Sequence, residues 1–132
     1  MLDRAAIVDE QFIETLQSKH LYWNGCSLRD VGMSIDQALS VFNSQLHSRI
    51  LDLTARELKE KHQSFYTIGS SGHEGNAVMG LVFPYTDMAF CHYRSGAFFL
   101  ERAKQCKLDG VFEILLSLVA SQDDGISAGR HK

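Results

Sequence analysis

Met88-Ala-Phe-Cys-His-Tyr-Arg-Ser-Gly96 is the stretch on which the interpretation of the fold depends. The apolar run from Met88 to His92 is short and is bounded by polar and small residues, which predicts a buried β-strand. Tyr93 and Arg94 follow this run directly, and a helical pattern opens at Ser95 or Gly96. A strand end, polar side chains and a helix N-terminus in succession often present groups to a phosphate in α/β proteins.

The chain upstream of this stretch has the pattern of two helices. Apolar residues in the segment from Val8 to Tyr22 indicate a moderate amphipathic helix. Ser34-Ile-Asp-Gln37 matches a capping box, so a long helix is expected to start there and to run to about Lys61. Apolar residues recur along it at steps of three and four, at Ile35, Leu39, Phe42, Leu46, Ile50 and Leu53.

Three further helices are predicted in the second half of the chain. Ser71-Gly-His-Glu74 resembles another capping box ahead of a small-residue helix from Gly75 to Phe83. The helix that opens at Ser95 or Gly96 should reach about Lys107, and Asp109 should cap a strongly apolar helix from Gly110 to Ala120. The fold class is therefore mainly α with about one short buried strand, and residues 1–33 form an N-terminal helical extension to residues 34–132.

Composition excludes several functional classes. The 132 residues are enough for one domain with a core, and the formal net charge of −3 gives no electrostatic reason to expect nucleic acid or an acidic membrane as a partner. No apolar run approaches the roughly 20 residues of a membrane helix, and no secretion signal is recognisable, so a cytoplasmic location is expected. The three cysteines have neither a disulfide pattern nor metal-ligand spacing.

Three segments are candidates for chemistry. Tyr93 and Arg94 could bind an anion, or the arginine could pair with a carboxylate such as Glu101. His73 and Glu74 could do acid–base work or contact a substrate carboxylate, or simply complete a helix cap. His131, in the glycine-rich ending, could reach over a cofactor or lie in a solvated linker. No cluster has metal-ligand spacing, so no metal ligands are assigned.

In their order and spacing these segments resemble the N-terminal region of the alpha subunit, or alpha-like half, of a thiamine-diphosphate-dependent 2-oxo acid dehydrogenase. The shared order is a long helix, a phenylalanine-containing loop, a Gly-x-Glu helix start, a strand ending in Tyr-Arg, an apolar helix and a glycine loop with a late histidine. The resemblance covers roughly residues 35–132. It implies that residues 34–132 are the incomplete N-terminal part of a larger three-layer α/β fold with a parallel sheet.

The resemblance also implies roles for individual residues. Tyr93 and Arg94, with His92 beside them, would contact the diphosphate of the cofactor. His131 would lie near the active-site entrance as the catalytic histidine. The residues matching the substrate channel are Phe65, Tyr66, Ser70, Ser71 and His73.

The implied cofactors are thiamine diphosphate and magnesium, with the metal-binding motif expected outside this chain. The implied partners are a beta subunit or beta-like half and a lipoyl-bearing acyltransferase, in a homodimer or an alpha2beta2 assembly. The implied activity is oxidative decarboxylation of a 2-oxo acid and transfer of the acyl group to a lipoyl arm, with no activity in this chain alone. Two other functions stay open, a free-standing helical interaction module and a transketolase-like thiamine enzyme.

Overall fold

The computed structural model describes residues 4–18, 25–64, 67 and 69–130, and these residues form five α-helices. They are α1 (Arg4–Ser18), α2 (Ile35–Glu60), α3 (Ala77–Val82), α4 (Gly96–Gln105) and α5 (Gly110–Leu118). A short 3-10 turn, Glu74–Asn76, leads into α3. The mainly helical character predicted from the sequence is confirmed.

The chain divides into two compact units, Met1–Gly32 and Met33–Lys132. The described part of the first unit contains α1 and a turn in which Asp30 accepts hydrogen bonds from the amide and hydroxyl of Ser27, at 2.9 and 2.7 Å. The second unit contains the other four helices and every feature discussed below.

The start of α2 follows the prediction from the capping box. The Ser34 hydroxyl accepts a hydrogen bond from the Gln37 amide at 3.1 Å, and the Gln37 side chain accepts one from the Ser34 amide at 2.9 Å. Two of the donors that a helix N-terminus leaves free are thereby satisfied. Asp109 caps α5 in the same manner, accepting from the Phe112 amide at 3.1 Å.

The second predicted capping box is wrong. The 3-10 turn at Glu74 has no side-chain cap, and the Glu74 carboxylate accepts from the Gly72 amide at 2.8 Å. Gly72 has a φ of +85°, so the backbone turns there through a left-handed conformation that glycine adopts without strain. The tight turn leaves Ser71 and His73 exposed.

The predicted strand from Met88 to His92 is also wrong. This segment has no regular secondary structure, and Met88 and Phe90 are 86% and 96% exposed. A strand exists only through hydrogen bonds to a neighbouring strand, and residues 4–18, 25–64, 67 and 69–130 contain none. The apolar run therefore lies on the surface instead of in a sheet.

Small side chains dominate the buried part of the second unit. Among the residues of this unit that the structure describes, four of the seven buried apolar ones are alanines, and the largest fully buried side chains are Ser44 and Ser48 of α2. α4 is the central helix, because α2, α3 and α5 all pack against it. Small residues at these contacts allow the helix backbones to approach closely, and this positions the start of α4 against the middle of α2.

No helix in the described ranges has both the length and the apolar character needed to cross a membrane.

Candidate functional site

A cavity of about 260 Å³ lies between α2, α4 and α5, in the part of the second unit that the structure describes. α2 forms one wall with Ser48, Leu51, Asp52 and Ala55. The segment that leads into α4 also lines the cavity, with Cys91, His92, Tyr93 and Ser95. The remaining lining residues come from the loop before α3, from α4 and α5, and from the loop after α5: Ser70, Phe99, Glu113, Ile114, Ser117, Leu118, Asp124 and Ile126.

The cavity brings together three of the residues predicted from the sequence. His92, Tyr93 and Ser70 all line it. Ser71 and His73 are exposed and do not line it, so for these two the substrate-channel prediction is not supported by their position. Phe65, Tyr66 and His131 lie outside the described residues.

A closed turn presents His92 and Tyr93 to the cavity. The Ser95 hydroxyl accepts from the His92 amide at 3.0 Å, and the Ser95 amide donates to the His92 carbonyl at 2.8 Å. The His92 and Tyr93 rings lie with their centroids 3.8 Å apart. The turn ends where α4 begins, so both rings are held beside the first turn of that helix.

Arg94 lies next to the cavity without lining it. Its Nη1 donates to the Gly69 carbonyl at 2.7 Å, and its guanidinium carbon lies 5.1 Å from the centroid of the Tyr93 ring. The second distance is in the range of a cation–π contact. The pairing with Glu101 that the sequence left open does not occur, because the Glu101 carboxylate is bound by Ser40, Ser44 and Lys104.

Asn76 fixes the approach of the 3-10 turn to the start of α4. Its side-chain oxygen accepts from the Phe98 amide at 2.8 Å, and its side-chain nitrogen donates to the Arg94 carbonyl at 3.2 Å. One of the N-terminal amides of α4 is thereby satisfied from another segment. The amides of Gly96 and Ala97, the first two residues of α4, have no partner within the helix. They follow Tyr93 and Arg94 closely in the chain.

Asp52, Ser70 and Ser48 form a hydrogen-bonded chain along the cavity wall. Both oxygens of Asp52 accept from the Ser70 amide, at 2.8 and 3.0 Å, and the two serine hydroxyls are 2.5 Å apart. A Cβ added to Gly96 would lie 3.0 Å from the Ser48 hydroxyl oxygen. The start of α4 therefore packs directly on this chain of polar groups.

The charged residues that line the cavity are carboxylates, namely Asp52, Glu113 and Asp124, with His92 as the one titratable nitrogen. Asp124 is buried and accepts hydrogen bonds from the Ile126 and Ser127 amides at 3.1 Å and from the Ser127 hydroxyl. An anion is therefore disfavoured in the interior. The guanidinium of Arg94 and the amides of α4 make the edge at Tyr93 the more favourable place for negative charge.

Burial raises the pKa of the Asp52 carboxyl above its ordinary value of 3.8, although hydrogen bonds from Ser70 oppose this effect. The folded chain then holds a proton on Asp52 to a higher pH than the unfolded chain does. Protonated Asp52 therefore adds to the free energy of unfolding below the ordinary pKa, and this contribution is lost as pH rises through the pKa of the folded chain.

Asp52→Asn keeps an oxygen that accepts from the Ser70 amide and removes the ionisation. The unfolding free energy of the native chain, relative to that of Asp52→Asn, is expected to decrease as pH rises from below 3.8 towards neutrality. Urea unfolding of both chains across this range measures the difference. A difference that stays constant or increases with pH would contradict the burial of this carboxyl.

Sequence reasoning missed Asp52, Ser48 and Asn76. One signal was available for the first two, because Ser40, Ser44, Ser48 and Asp52 follow one another at steps of four along α2. Such a spacing places polar groups on one helix face. Asn76 had no comparable signal, since its partners come from a segment 18 to 22 residues further along the chain.

The residues at the edge of the cavity fit a diphosphate group in chemical type. Tyr93 offers a hydroxyl, Arg94 a guanidinium and the start of α4 its free amides. Among residues 4–18, 25–64, 67 and 69–130, no group of three or more histidines, cysteines or carboxylates is arranged to hold a metal ion.

No family model, curated protein or solved structure matches this chain.

Proposed function

We propose that this chain is the alpha-like part of a thiamine-diphosphate-dependent 2-oxo acid dehydrogenase, a cytoplasmic enzyme that decarboxylates a 2-oxo acid oxidatively and passes the acyl group to a lipoyl arm. The observation that carries the proposal is the position of Tyr93 and Arg94. They lie side by side at the start of α4, at the edge of a cavity that His92 and Ser70 also line. The order of motifs along residues 35–132 supports the same assignment.

In this proposal the chain binds and orients the cofactor. Arg94 is held in place by the Gly69 carbonyl and by the Tyr93 ring, so its remaining N–H groups are preorganised to donate to a diphosphate. The N-terminal amides of α4 add a favourable potential for the same negative charge. The bound cofactor would supply the electron sink for decarboxylation.

The proposal includes a beta subunit or beta-like half that completes the site. The segment from α3 to Tyr93 supports this partner, because it exposes large apolar side chains and leads along the chain into the proposed diphosphate site. Such patches mark protein interaction surfaces when they are contiguous. The exposed residues are Val78, Met79, Val82, Phe83, Tyr85, Met88, Phe90 and Tyr93.

The carboxylates of the cavity interior would repel a diphosphate placed among them. The diphosphate would stay at the edge with Arg94, and magnesium would be held by groups outside this chain. The assembly would be a homodimer or an alpha2beta2 complex that delivers the acyl group to a lipoyl-bearing acyltransferase. His131 would contribute at the entrance, and the isolated chain would have no activity.

Arg94→Ala in the complete assembly tests the function. We expect thiamine diphosphate, titrated in the presence of magnesium, to bind about 10- to 150-fold more weakly, which corresponds to the ~1.5–3 kcal/mol of a hydrogen bond to a charged group. Isothermal titration calorimetry on the assembly measures the affinity.

Arg102→Ala is a closely matched control. Arg102 lies on α4 and makes the same kinds of contact as Arg94. It donates to the Asp87 carbonyl at 2.8 Å, and its guanidinium carbon lies 5.3 Å from the centroid of the Phe98 ring. Its substitution should leave the affinity unchanged. Equal affinities in the native, Arg94→Ala and Arg102→Ala assemblies would refute the proposed diphosphate site.

Two other functions are distinguished by related measurements. The exposed apolar face of α2 and the partly exposed helix α5 also suit a helical interaction module. This alternative predicts no binding of thiamine diphosphate by any assembly that contains the chain. A transketolase-like enzyme would bind the cofactor but would not decarboxylate 2-oxo acids with a dye as electron acceptor.

A further inference from the structure

α2 carries a face of large apolar side chains that the rest of the described unit does not cover. Six residues, from 43% to 70% exposed, form this outer stripe: Ile35, Leu39, Phe42, Leu46, Ile50 and Leu53. The buried residues of the same helix are Val41, Ser44, Ser48, Leu51 and Ala55. At 3.6 residues per turn the two sets point in directions roughly 180° apart. The helix thus has its larger apolar side chains on the outside.

The spacing of the outer stripe is nearly symmetric about position 44. Ile35 and Leu53 lie nine residues to either side of it, Phe42 and Leu46 two residues, and Leu39 and Ile50 five and six residues. A two-fold axis perpendicular to the helix at this height would set each large side chain opposite another large side chain. We propose that α2 pairs antiparallel with α2 of a second copy of this chain through the outer stripe.

The charges beside the stripe are compatible with this pairing. Arg49 and Arg56 border one edge, and Asp36 borders the other. In an antiparallel pair centred on position 44, each edge meets the same edge of the partner in reverse. Arg49 then comes level with Leu39 of the second copy, and Asp36 comes level with Asp52, which faces the cavity of its own copy and not the pairing face. No two like charges on the pairing faces meet at the same height, and the two helix dipoles oppose each other favourably.

The exposed area matches a reversible dimer. Six side chains about half exposed offer at most roughly 450–750 Å² on each copy, because the ~150–250 Å² buried by an aromatic side chain is an upper bound for leucine and isoleucine. The total for two copies reaches the low end of specific interfaces, about 1,200 Å². The stripe is about 27 Å long at 1.5 Å per residue, which is enough for several layers of paired side chains.

Sedimentation velocity from micromolar to near-millimolar concentration tests the pairing. The native chain is expected to pass from monomer to dimer, and Phe42→Glu is expected to stay monomeric, because it places a charge in the centre of the stripe. Phe112→Glu on α5 is the matched control, since Phe42 and Phe112 are both 55% exposed. This control should dimerise like the native chain, and circular dichroism should show native helix content in both variants.

Disulfide trapping tests the direction of the pairing. In a chain with Cys26, Cys91 and Cys106 replaced by serine, Ile35→Cys and Leu53→Cys are made as two separate variants. Antiparallel pairing predicts rapid formation of the mixed 35–53 disulfide on oxidation of the two together, and slow self-linkage of Leu53→Cys alone.

Three results would overturn the proposal. They are a native chain that is monomeric at every concentration, a dimer that Phe112→Glu dissociates and Phe42→Glu does not, and preferential 53–53 linkage. The pairing does not depend on the proposed enzyme function, because a failed cofactor titration would leave the sedimentation result unchanged.

Discussion

Replacing Glu101 with alanine is expected to lower the free energy of unfolding by about 3 kcal/mol, because the charged acceptor of three hydrogen bonds is lost. Glu101 lies on α4, and its side chain is only 3% exposed. Its carboxylate accepts hydrogen bonds from Ser40 at 2.9 Å, Ser44 at 2.6 Å and Lys104 at 2.9 Å. Alanine would leave the buried Ser44 hydroxyl without its acceptor, and it would remove the charged acceptor of the partly exposed Ser40 and Lys104.

The effect of this substitution should depend on pH. Burial by itself would raise the pKa of Glu101, but the hydrogen bonds from Ser44, Lys104 and Ser40 outweigh it and place the pKa below the ordinary value of 4.5. The ionised carboxylate therefore stabilises the fold above the ordinary pKa, and this contribution is lost as pH falls through the folded-state pKa. Urea unfolding at several pH values should show the gap between the native chain and Glu101→Gln closing as acid is added.

Glu60→Ala provides the comparison for Glu101→Ala. Glu60 is exposed at the end of α2, and its substitution should change the stability by no more than about 0.5 kcal/mol. Equal effects of the two alanine variants would show that the carboxylate of Glu101 does not hold α2 and α4 together.

Gly80→Val is expected to destabilise the chain by about 3 kcal/mol, the upper part of the range for overpacking a core. A Cβ at Gly80 would lie 2.6 Å from the Phe98 carbonyl oxygen and 2.9 Å from the Glu101 Cβ. The first contact is with the backbone of α4, which cannot move aside as a flexible side chain can. α3 would have to move away, and the 2.8 Å bond from the Gln105 side chain to the Gly80 carbonyl would be strained.

The control for this prediction is Gly75→Ala. No atom lies within 4 Å of a Cβ added at Gly75, so this substitution should be neutral or stabilising by up to about 1 kcal/mol. Thermal unfolding followed by circular dichroism compares the variants. A Gly80→Val chain that melts together with Gly75→Ala would mean that α3 and α4 are not in close contact.

Local signals predicted the starts of α2 and α5 correctly. The capping box at Ser34 and the cap at Asp109 depend on residues three positions apart, and both are present as expected. The apolar periodicity of α2 predicted its length to within one residue, since the helix ends at Glu60. Such features follow from a few neighbouring residues, so one sequence contains enough information to find them.

Features that depend on distant partners were not predictable in this way. The segment from Met88 to His92 has the composition of a strand, but its state depends on a second strand that the described residues do not supply. The bond between Asp52 and Ser70 spans 18 residues, and the bond between Ser44 and Glu101 spans 57. Their formation requires helices to be placed in space, and the periodicity of a single helix does not determine that placement.

The serine-rich face of α2 has a consequence for the temperature dependence of folding. Heat-capacity increments arise mainly from apolar surface that unfolding exposes to water, and polar surface reduces them. A unit whose largest fully buried side chains are Ser44 and Ser48, and which leaves many large apolar side chains exposed, uncovers less new apolar surface when it melts than an aliphatic core does. Its free-energy curve should therefore be flatter than that of an aliphatic core of equal length, with slow loss of stability on cooling as well as on warming.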